Sequence, residues 1–266
     1  MKKGKKRSAI KLFFILFFIL IVALGLFNKK KTMPIDSESN RSDSVTKKEA
    51  KIKKKKQVAM DYQDINLDKK LVALHAKIGN PVFIRIFKKE ALLEVWIRTA
   101  ESYKHLKTYP ICAFSGHLGP KLKQGDKQSP EGFYVVTKGS LNPNSRFHLS
   151  FNLGFPNTYD RAHKRTGSYL MVHGACASVG CYAMTDSKIE EIYALVEGAL
   201  KNGQKYVRVH AFPFRMSDIN MLAYSNNKWY DFWTDLKEGY DYFEAEKLPP
   251  NVKVENGHYA IYEANE

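Results

Sequence analysis

The sequence predicts a mostly β domain with added helices, of the α+β class. Short runs rich in β-branched and aromatic residues recur between residues 82 and 172, separated by turn-forming residues. The period of the apolar residues changes at residue 186, where helical spacing begins. Aromatic residues at helical spacing dominate the C-terminal part. Strands in the first part and helices after them together predict this class.

The elements follow in chain order. A short helix is expected over residues 67–79, ending at a glycine. Six strands are predicted at 82–87, 92–98, 109–114, 132–138, 147–151 and 169–172. A helix over 186–202 follows, because Thr185 or Asp186 can cap its start and Gly203 stops it. The last elements are a strand at 207–210, a helix opening at Ser217 and an aromatic-rich helix over 229–242, whose rings are expected to pack in the core rather than line a polymer groove.

Residues 1–27 are predicted to be a signal peptide or a signal anchor. Five cationic residues in the first seven precede an uninterrupted apolar run over 12–27. At the helical rise this run spans about 24 Å, slightly less than a hydrocarbon core of about 30 Å. The uncleaved anchor is favoured, because apolar residues continue past the small residues Ala23-Leu24-Gly25. The charges favour a cytoplasmic N-terminus, so we expect a periplasmic or extracytoplasmic protein tethered to the inner membrane.

Positive charge is concentrated in the first 58 residues. The chain has a formal net charge of +16, from 43 Lys and Arg against 27 Asp and Glu. Residues 1–58 hold 17 of these cations and 4 of these anions, a net of +13, which leaves +3 for residues 59–266. The Lys- and Ser-rich segment 28–58 is predicted to be a disordered linker. Beside an export segment, its lysines favour anionic lipid or anionic wall polymers over nucleic acid.

The most informative segment is residues 173–184, with the sequence H-G-A-C-A-S-V-G-C-Y-A-M. A free thiol has a pKa of about 8.5 and is mostly protonated at neutral pH, so Cys181 needs a base to become a nucleophile. His173 can supply this base if the segment folds back, and Gly174 and Gly180 permit such a turn. Gly180 also lets backbone N–H groups face a reacting carbonyl, as in an oxyanion hole. The segment is therefore predicted to be a reactive loop.

Written as H-G-x-x-x-S-x-G-C-x-x-M, this run resembles the signature of the YkuD-type L,D-transpeptidase family, and within it the YafK-like branch. Residues 116–134, with their Pro130-Glu131-Gly132 turn, residues 165–167 and residues 210–216 support the resemblance. The similarity covers roughly residues 80–216, about half of the chain. It implies a YkuD-like β-rich catalytic domain over 59–216, with a helix after the cysteine loop, and a helical C-terminal extension over 217–266.

The resemblance also implies a substrate and a mechanism. Members of the family act on peptidoglycan stem peptides, where the thiolate attacks the amide between the L-centre of diaminopimelate and a terminal D-residue. In this chain Cys181 would be the nucleophile, His173 the base, and backbone amides around Gly180 the oxyanion hole, while Ser178 orients the loop. An amine acceptor crosslinks the wall or attaches a lipoprotein. Water as acceptor trims stems or releases a wall-attached lipoprotein.

Two departures from the family signature affect substrate handling. Val179 stands where the common motif has a histidine, which leaves His173 as the motif histidine able to act as a base. Ala183 stands where the motif has an arginine, so another cation must bind any substrate carboxylate. Arg165 and Arg215 are the candidates for this role. The departures also keep open a different class of function, a catalytically silent wall-binding module.

The remaining cysteines and histidines have weaker signals. Cys112, in an apolar stretch, is expected to be a core residue of a strand. Cys176 is expected to be packed, with an alternative nucleophile or a disulfide partner of Cys181 as the other interpretations. His210 is expected either near the site or satisfied within the fold. No Cys or His pair has zinc-ligand spacing, and no metal or cofactor is expected.

Overall fold

Two five-stranded sheets hold most of the strands in the computed structural model of the protein, which describes residues 66–264. The predicted signal segment 1–27 and linker 28–58 lie outside the described residues. No helix within 66–264 is long and apolar enough to cross a lipid bilayer. The mostly β, α+β class predicted from the sequence is confirmed.

The first sheet has the strand order β3-β2-β1-β10-β5 and the second has the order β4-β9-β8-β7-β6. The strands are β1 (Val82–Phe87), β2 (Leu92–Arg98), β3 (Tyr103–Pro110), β4 (Ala113–Phe114), β5 (Gly132–Val136), β6 (Leu141–Ser145), β7 (His148–Asn152), β8 (Met171–His173), β9 (Tyr182–Ala183) and β10 (Val207–Phe212), with β11 (Asn251–Glu255) and β12 (His258–Tyr262) as a separate hairpin. The helices are α1 (Leu67–Ala73), α2 (Thr158–Ala162), α3 (Asp186–Lys201), α4 (Asp218–Ala223) and α5 (Tyr230–Glu246).

The main core lies between the two sheets and α3. Alternate residues of β1 and β10, such as Ile84 and Val209, point to this side and are fully buried. Phe151 and Val172 reach the same core from the second sheet, and Ile192 reaches it from α3. The helix and both sheets thus share one apolar interior, which holds β8 and β9 in place.

A second core covers the opposite face of the first sheet. Phe87 and Phe212 of this face pack with Trp233 of α5 and Tyr259 of β12. The predicted aromatic-rich helix therefore exists, and both Trp233 and Phe243 are fully buried. Core packing is the role that the structure gives these two rings.

Several predicted elements differ from the structure in their limits, and the larger differences have a physical reason. The strand expected over 109–114 is divided, because the N–H of Ile111 bonds the carbonyl oxygen of Ala91, which precedes β2 of the first sheet, while the N–H of Cys112 bonds Ala183 O in the second sheet. The chain changes sheets at this point. The helix expected over 67–79 ends at Ala73, since His75 has a φ of 50°. The C-terminal part also contains the β11–β12 hairpin, which the helical prediction missed.

Candidate active site

The reactive loop connects two neighbouring parallel strands of the second sheet. Val172 of β8 is in register with Tyr182 of β9, and His173 is in register with Ala183. Relative to the Val172–Tyr182 pair, Cys181 lies one residue before Tyr182 on one strand, and His173 lies one residue after Val172 on the other. At ordinary strand spacing this offset separates the two Cα atoms by about 8 Å, and the alternation of side chains puts both positions on one face. The imidazole and the thiol are therefore expected on the same face of the sheet, the face that also bears the methyl group of Ala183.

His173 is held as a neutral base. It is 2% exposed, and its Nδ1 lies 2.6 Å from the carbonyl oxygen of Gly174. Because a carbonyl oxygen only accepts, Nδ1 carries the proton and Nε2 is left with a lone pair. Burial lowers the pKa of His173, and the hydrogen bond to Gly174 opposes this effect in part. The carbonyl of Gly174 thus orients the ring, a role the sequence could not assign to any one residue.

Cys181 rests as a neutral thiol. Its Sγ accepts a hydrogen bond from the N–H of Met171 at 3.4 Å and lies 3.7 Å from the carbonyl oxygen of Tyr169. Burial raises the pKa of this thiol, and the Met171 N–H and the positive charge of Lys121 oppose the increase. Because both the thiol and the imidazole are neutral, the base must take the thiol proton during the reaction.

Two serine hydroxyls hold the peptide that follows the thiol. The carbonyl oxygen of Cys181 accepts hydrogen bonds from Ser178 Oγ at 2.7 Å and from Ser129 Oγ at 3.0 Å. The predicted role of Ser178 in orienting the loop stays a prediction, and this hydrogen bond supports it. Ser129 was missed as a site residue, although it directly precedes the Pro-Glu-Gly turn that supports the resemblance. A hydroxyl beside that turn was the available signal, but its partner is 52 residues away along the chain.

Gly180 and Gly174 are required to be glycine by different structural constraints. Gly180 has a φ of +121°, a conformation that L side chains resist. Within residues 66–264, neither its N–H nor that of Cys181 donates a hydrogen bond to the protein, so both are free for a developing oxyanion. At Gly174 the limit is space, since a Cβ would lie 2.6 Å from Asp186 Oδ1. That carboxylate accepts the N–H of Ala175 at 2.7 Å and fastens the loop to α3.

A disulfide joins Cys112 to Cys176, with Cα atoms 5.3 Å apart. The expectation of a packed Cys176 and a separate core Cys112 was therefore wrong. The pairing arises because Cys112 stands at the change of sheets beside β9, where the reactive loop passes, and spacing along the chain could not reveal it. All three cysteines of the sequence are described, and Cys181 is the free one. The disulfide removes Cys176 as an alternative nucleophile and fastens the loop at its other side.

Removing this disulfide is expected to destabilise the protein by about 2–4 kcal/mol, since it closes a long loop in the unfolded chain. The two cysteines are 64 residues apart in sequence. We expect a lower urea midpoint for the Cys112→Ala/Cys176→Ala variant, measured by circular dichroism. Dithiothreitol should shift the wild type toward the variant and leave the variant unchanged. Equal midpoints for wild type and variant would contradict this expectation.

The two candidate arginines are already paired inside the fold. Arg165 is 6% exposed, and its Nη1 lies 2.8 Å from Asp160 Oδ1. Arg215 is more exposed, and its Nη2 lies 2.5 Å from Glu94 Oε1. Burial and ion pairing favour structural roles for both, most clearly for Arg165. Their binding of a substrate carboxylate stays a prediction.

The two departures from the family signature lie in contrasting places. Val179 is 74% exposed, whereas Ala183 is fully buried in register with His173. A long side chain at position 183 would compete with the imidazole for the space between the strands. The chain keeps a thiol, an oriented imidazole and free backbone N–H groups although it lacks the histidine and the arginine of the common motif.

Comparison with known proteins decides the family. Residues 81–209 match the family model described as L,D-transpeptidase catalytic domain, YkuD. YafK of Escherichia coli strain K12, whose name assigns it to the L,D-transpeptidases, is 52% identical over 184 residues, which cover 69% of this chain and 75% of that protein. The chain belongs to the YkuD-type L,D-transpeptidase family. The resemblance stated from the motif is thereby confirmed.

Solved structures give weaker similarities. The helical cell shape determining protein Pgp2 from Campylobacter jejuni is 16% identical, with a TM-score of 0.41 over 72% of this chain and 81% of that one. Bd1075 of Bdellovibrio bacteriovorus is 17% identical, with a TM-score of 0.35 over 62% of this chain and 58% of that one.

Proposed function

We propose that this L,D-transpeptidase family member is a cysteine acyltransferase of the cell wall that acts on peptidoglycan stem peptides through a thioester. The observation that carries the proposal is one free thiol and a histidine of defined tautomer at nearby positions of two adjacent strands. Cys181 and His173 flank two residues in register on β8 and β9, and Gly174 O holds Nδ1 of the base. Family membership supports the substrate class and an extracytoplasmic location. Tethering to the inner membrane stays a prediction.

The acylation step follows from the protonation states of the two groups. Nε2 of His173 takes the thiol proton as Sγ of Cys181 attacks the carbonyl carbon of the stem-peptide amide. The carbonyl oxygen becomes an oxyanion that the N–H groups of Gly180 and Cys181 can receive. The imidazolium then gives its proton to the departing amine of the D-residue. The C–N bond breaks and a thioester remains on Cys181.

Deacylation repeats these roles with a second nucleophile. His173 takes a proton from an acceptor amine, which attacks the thioester and forms a new amide, and the thiolate leaves and regains its proton. Water in place of the amine gives a free acid, so the same site would act as a thiol amidase that trims stems or releases wall-attached lipoprotein. The presence of both nucleophile and base favours an enzyme over a catalytically silent wall-binding module.

Product analysis distinguishes these outcomes. The full-length protein is incubated with muropeptides that carry an intact D-residue, with and without an added acceptor D-amino acid, and the products are separated and identified by mass spectrometry. We expect release of the D-residue and formation of exchanged or crosslinked amides. Free acids alone would assign a hydrolase. A folded protein that yields neither product nor acyl-enzyme across the substrate panel would contradict the proposal and favour the binding module.

The acid limb of kcat/KM is expected to have its midpoint below the ordinary histidine pKa of about 6.5. Burial lowers the pKa of His173, so the ring stays neutral and able to accept a proton at a pH where an exposed histidine is half charged. Activity should therefore persist as the pH falls toward 6.5 and be lost below it. The measurement is the rate of thioester formation against pH by quenched-flow mass spectrometry.

His173→Gln and His163→Gln provide the matched comparison. Loss of the general base should lower the rate by about 10²–10⁴-fold and remove the acid limb, whereas His163 is exposed on the surface and its variant should keep the wild-type profile. An acid limb that persists in His173→Gln would assign the titrating group elsewhere.

A further inference from the structure

A cavity of about 640 Å³ lies on the outer face of the first sheet, beside the C-terminal hairpin. β5 and β10 form its floor, β11 and β12 form one wall, and residues of α2 form another. Its lining residues include neither Cys181 nor His173, nor any hydrogen-bond partner of theirs. The volume is in the range of small-molecule sites, roughly 300–1,000 Å³. The cavity is therefore separate from the candidate active site.

The cavity carries positive charge without a balancing carboxylate. Arg161, Arg208 and Lys253 line it, and no Asp or Glu is among its described lining residues. Within the described chain none of the three forms an ion pair. Arg208 is oriented by a neutral partner, as its Nη2 donates to Asn251 Oδ1 at 2.7 Å. Oriented cations around a concave surface attract an anionic ligand and concentrate it there.

His210 adds an unsatisfied polar group to the same cavity. Alternation along β10 puts it on the face that bears Arg208, and it is 1% exposed. Its Nδ1 is buried without a hydrogen-bond partner in the described structure. Buried polar groups are normally paired, and the ring is otherwise surrounded by aromatic side chains, with Phe133 at 4.4 Å between ring centroids. Because His210 is among the lining residues, a ligand in the cavity would lie next to this ring.

Tyrosine rings give the cavity flat apolar surfaces with polar tips. Five tyrosines line it, of which Tyr206 and Tyr262 are exposed and Tyr134, Tyr159 and Tyr259 are buried. Tyr159 and Tyr259 stack on one another, with 4.2 Å between ring centroids. A tyrosine binds with its apolar face and its hydroxyl together. This combination suits a sugar ring, which has apolar C–H faces and a rim of hydroxyl groups.

We propose that this cavity binds a small anionic sugar, a sugar ring that bears a carboxylate or a phosphate. The charged group would lie among Arg161, Arg208 and Lys253, and the ring would lie against the exposed Tyr206 and Tyr262 with a polar group toward His210. This binding does not depend on acyl transfer at Cys181. The Cys181→Ser protein is therefore expected to bind the same ligands as the wild type.

Matched pairs of sugars test the charge requirement and its source. N-acetylmuramic acid is N-acetylglucosamine with one added lactyl carboxylate, and glucose 1-phosphate is glucose with one added phosphate. Ligand-detected NMR titrations against the full-length protein give the dissociation constants. We expect at least one charged sugar to bind about tenfold more tightly than its neutral twin, because a hydrogen bond to a charged group has roughly that effect. The better charged ligand identifies carboxylate or phosphate as the source.

Variants locate the binding to this cavity. Lys253→Gln and Arg208→Gln should each raise the dissociation constant of the charged sugar about tenfold and leave that of the neutral sugar unchanged. Lys104→Gln, at an exposed position of β3, is the matched control and should bind as the wild type. His210→Phe should weaken binding while the thermal midpoint stays the same or rises, since an apolar ring replaces an unpaired polar one. A purely structural histidine would leave binding unaffected in that variant.

Three results would overturn the proposal. One is equal binding of charged and neutral sugars to the wild type. Another is no saturable binding of either charged sugar at millimolar concentrations. The third is undiminished binding by Lys253→Gln. The side chain of Lys253 is exposed and can be replaced without disturbing the fold, so this variant tests the proposal even if the Arg208 or His210 variant folds poorly.

Discussion

Cys181→Ser is expected to lower acyl transfer by at least about 10⁴-fold and to eliminate the acyl-enzyme. Loss of a nucleophile that works with a base has an effect of this order, because the oxyanion contacts that remain cannot replace the covalent step. Serine preserves the shape of the side chain, and its hydroxyl is far less acidic than a thiol. Intact-mass spectrometry of protein quenched during turnover measures the adduct, and circular dichroism confirms that the variant is folded.

The disulfide variant is the matched control for the identity of the nucleophile. Cys112→Ala/Cys176→Ala removes both other cysteines and, at a temperature where it is folded, should still form an adduct that peptide mapping places on Cys181. An adduct that survives in Cys181→Ser, or that maps to Cys176 in the wild type under oxidising conditions, would contradict the assignment. A partial loss of rate in the double variant is compatible with it, since the disulfide fastens the loop.

Lys88→Met is expected to destabilise the protein by about 3–5 kcal/mol, because it leaves a buried carboxylate without its cation. Lys88 and Glu131 are fully buried, and Nζ lies 3.0 Å from Oε1. Burial lowers the pKa of Lys88, and the charge of Glu131 opposes this decrease. Glu131 also accepts hydrogen bonds from Gly119 N–H and Trp233 Nε1–H, and these remain in the variant without balancing the charge.

This ion pair also supports the active site. Nζ of Lys88 donates to the carbonyl oxygen of Ser129 at 3.0 Å, and Ser129 Oγ holds the carbonyl of Cys181. The next residue, Pro130, accepts the hydroxyl of Tyr182 from β9. Displacement of the 129–131 segment should therefore lower the rate of thioester formation in the fraction of Lys88→Met that folds.

Two further variants test the origin of the effect. In Lys88→Met/Glu131→Gln a neutral amide replaces the unpaired buried carboxylate of Glu131. Urea unfolding experiments should therefore show that part of the lost stability returns. Lys201→Ala breaks the exposed pair with Glu197 and should cost less than about 1 kcal/mol, as surface ion pairs do. If Lys88→Met costs no more than Lys201→Ala, the buried pair does not stabilise the fold as argued.

The sequence predicted correctly those strands and helices whose own residues have the composition or spacing typical of the element. Strands at 82–87 and 92–98 have the predicted limits because β-branched and aromatic residues fill them. The helix from residue 186 is also as expected, since apolar residues recur at helical spacing over a long segment. Residues 103–108 of β3, with their lysines and histidine, were missed because β3 is stabilised mainly by pairing with β2 along seven residues rather than by its own composition.

The features of the candidate site likewise fall into those predicted from local sequence and those set by tertiary contacts. The sequence by itself determined the family and the candidate thiol, base and glycines, because reaction chemistry demands particular residue types within one short loop, and a loop is contiguous in sequence. Tertiary structure alone decided the partner of Cys176, the hold of Ser129 on Cys181, and the internal pairing of Arg165. Each of these depends on which distant segments the two sheets bring together, as at the change of sheets at Cys112. Packing between sheets sets such contacts, and neither period nor spacing along the chain encodes them.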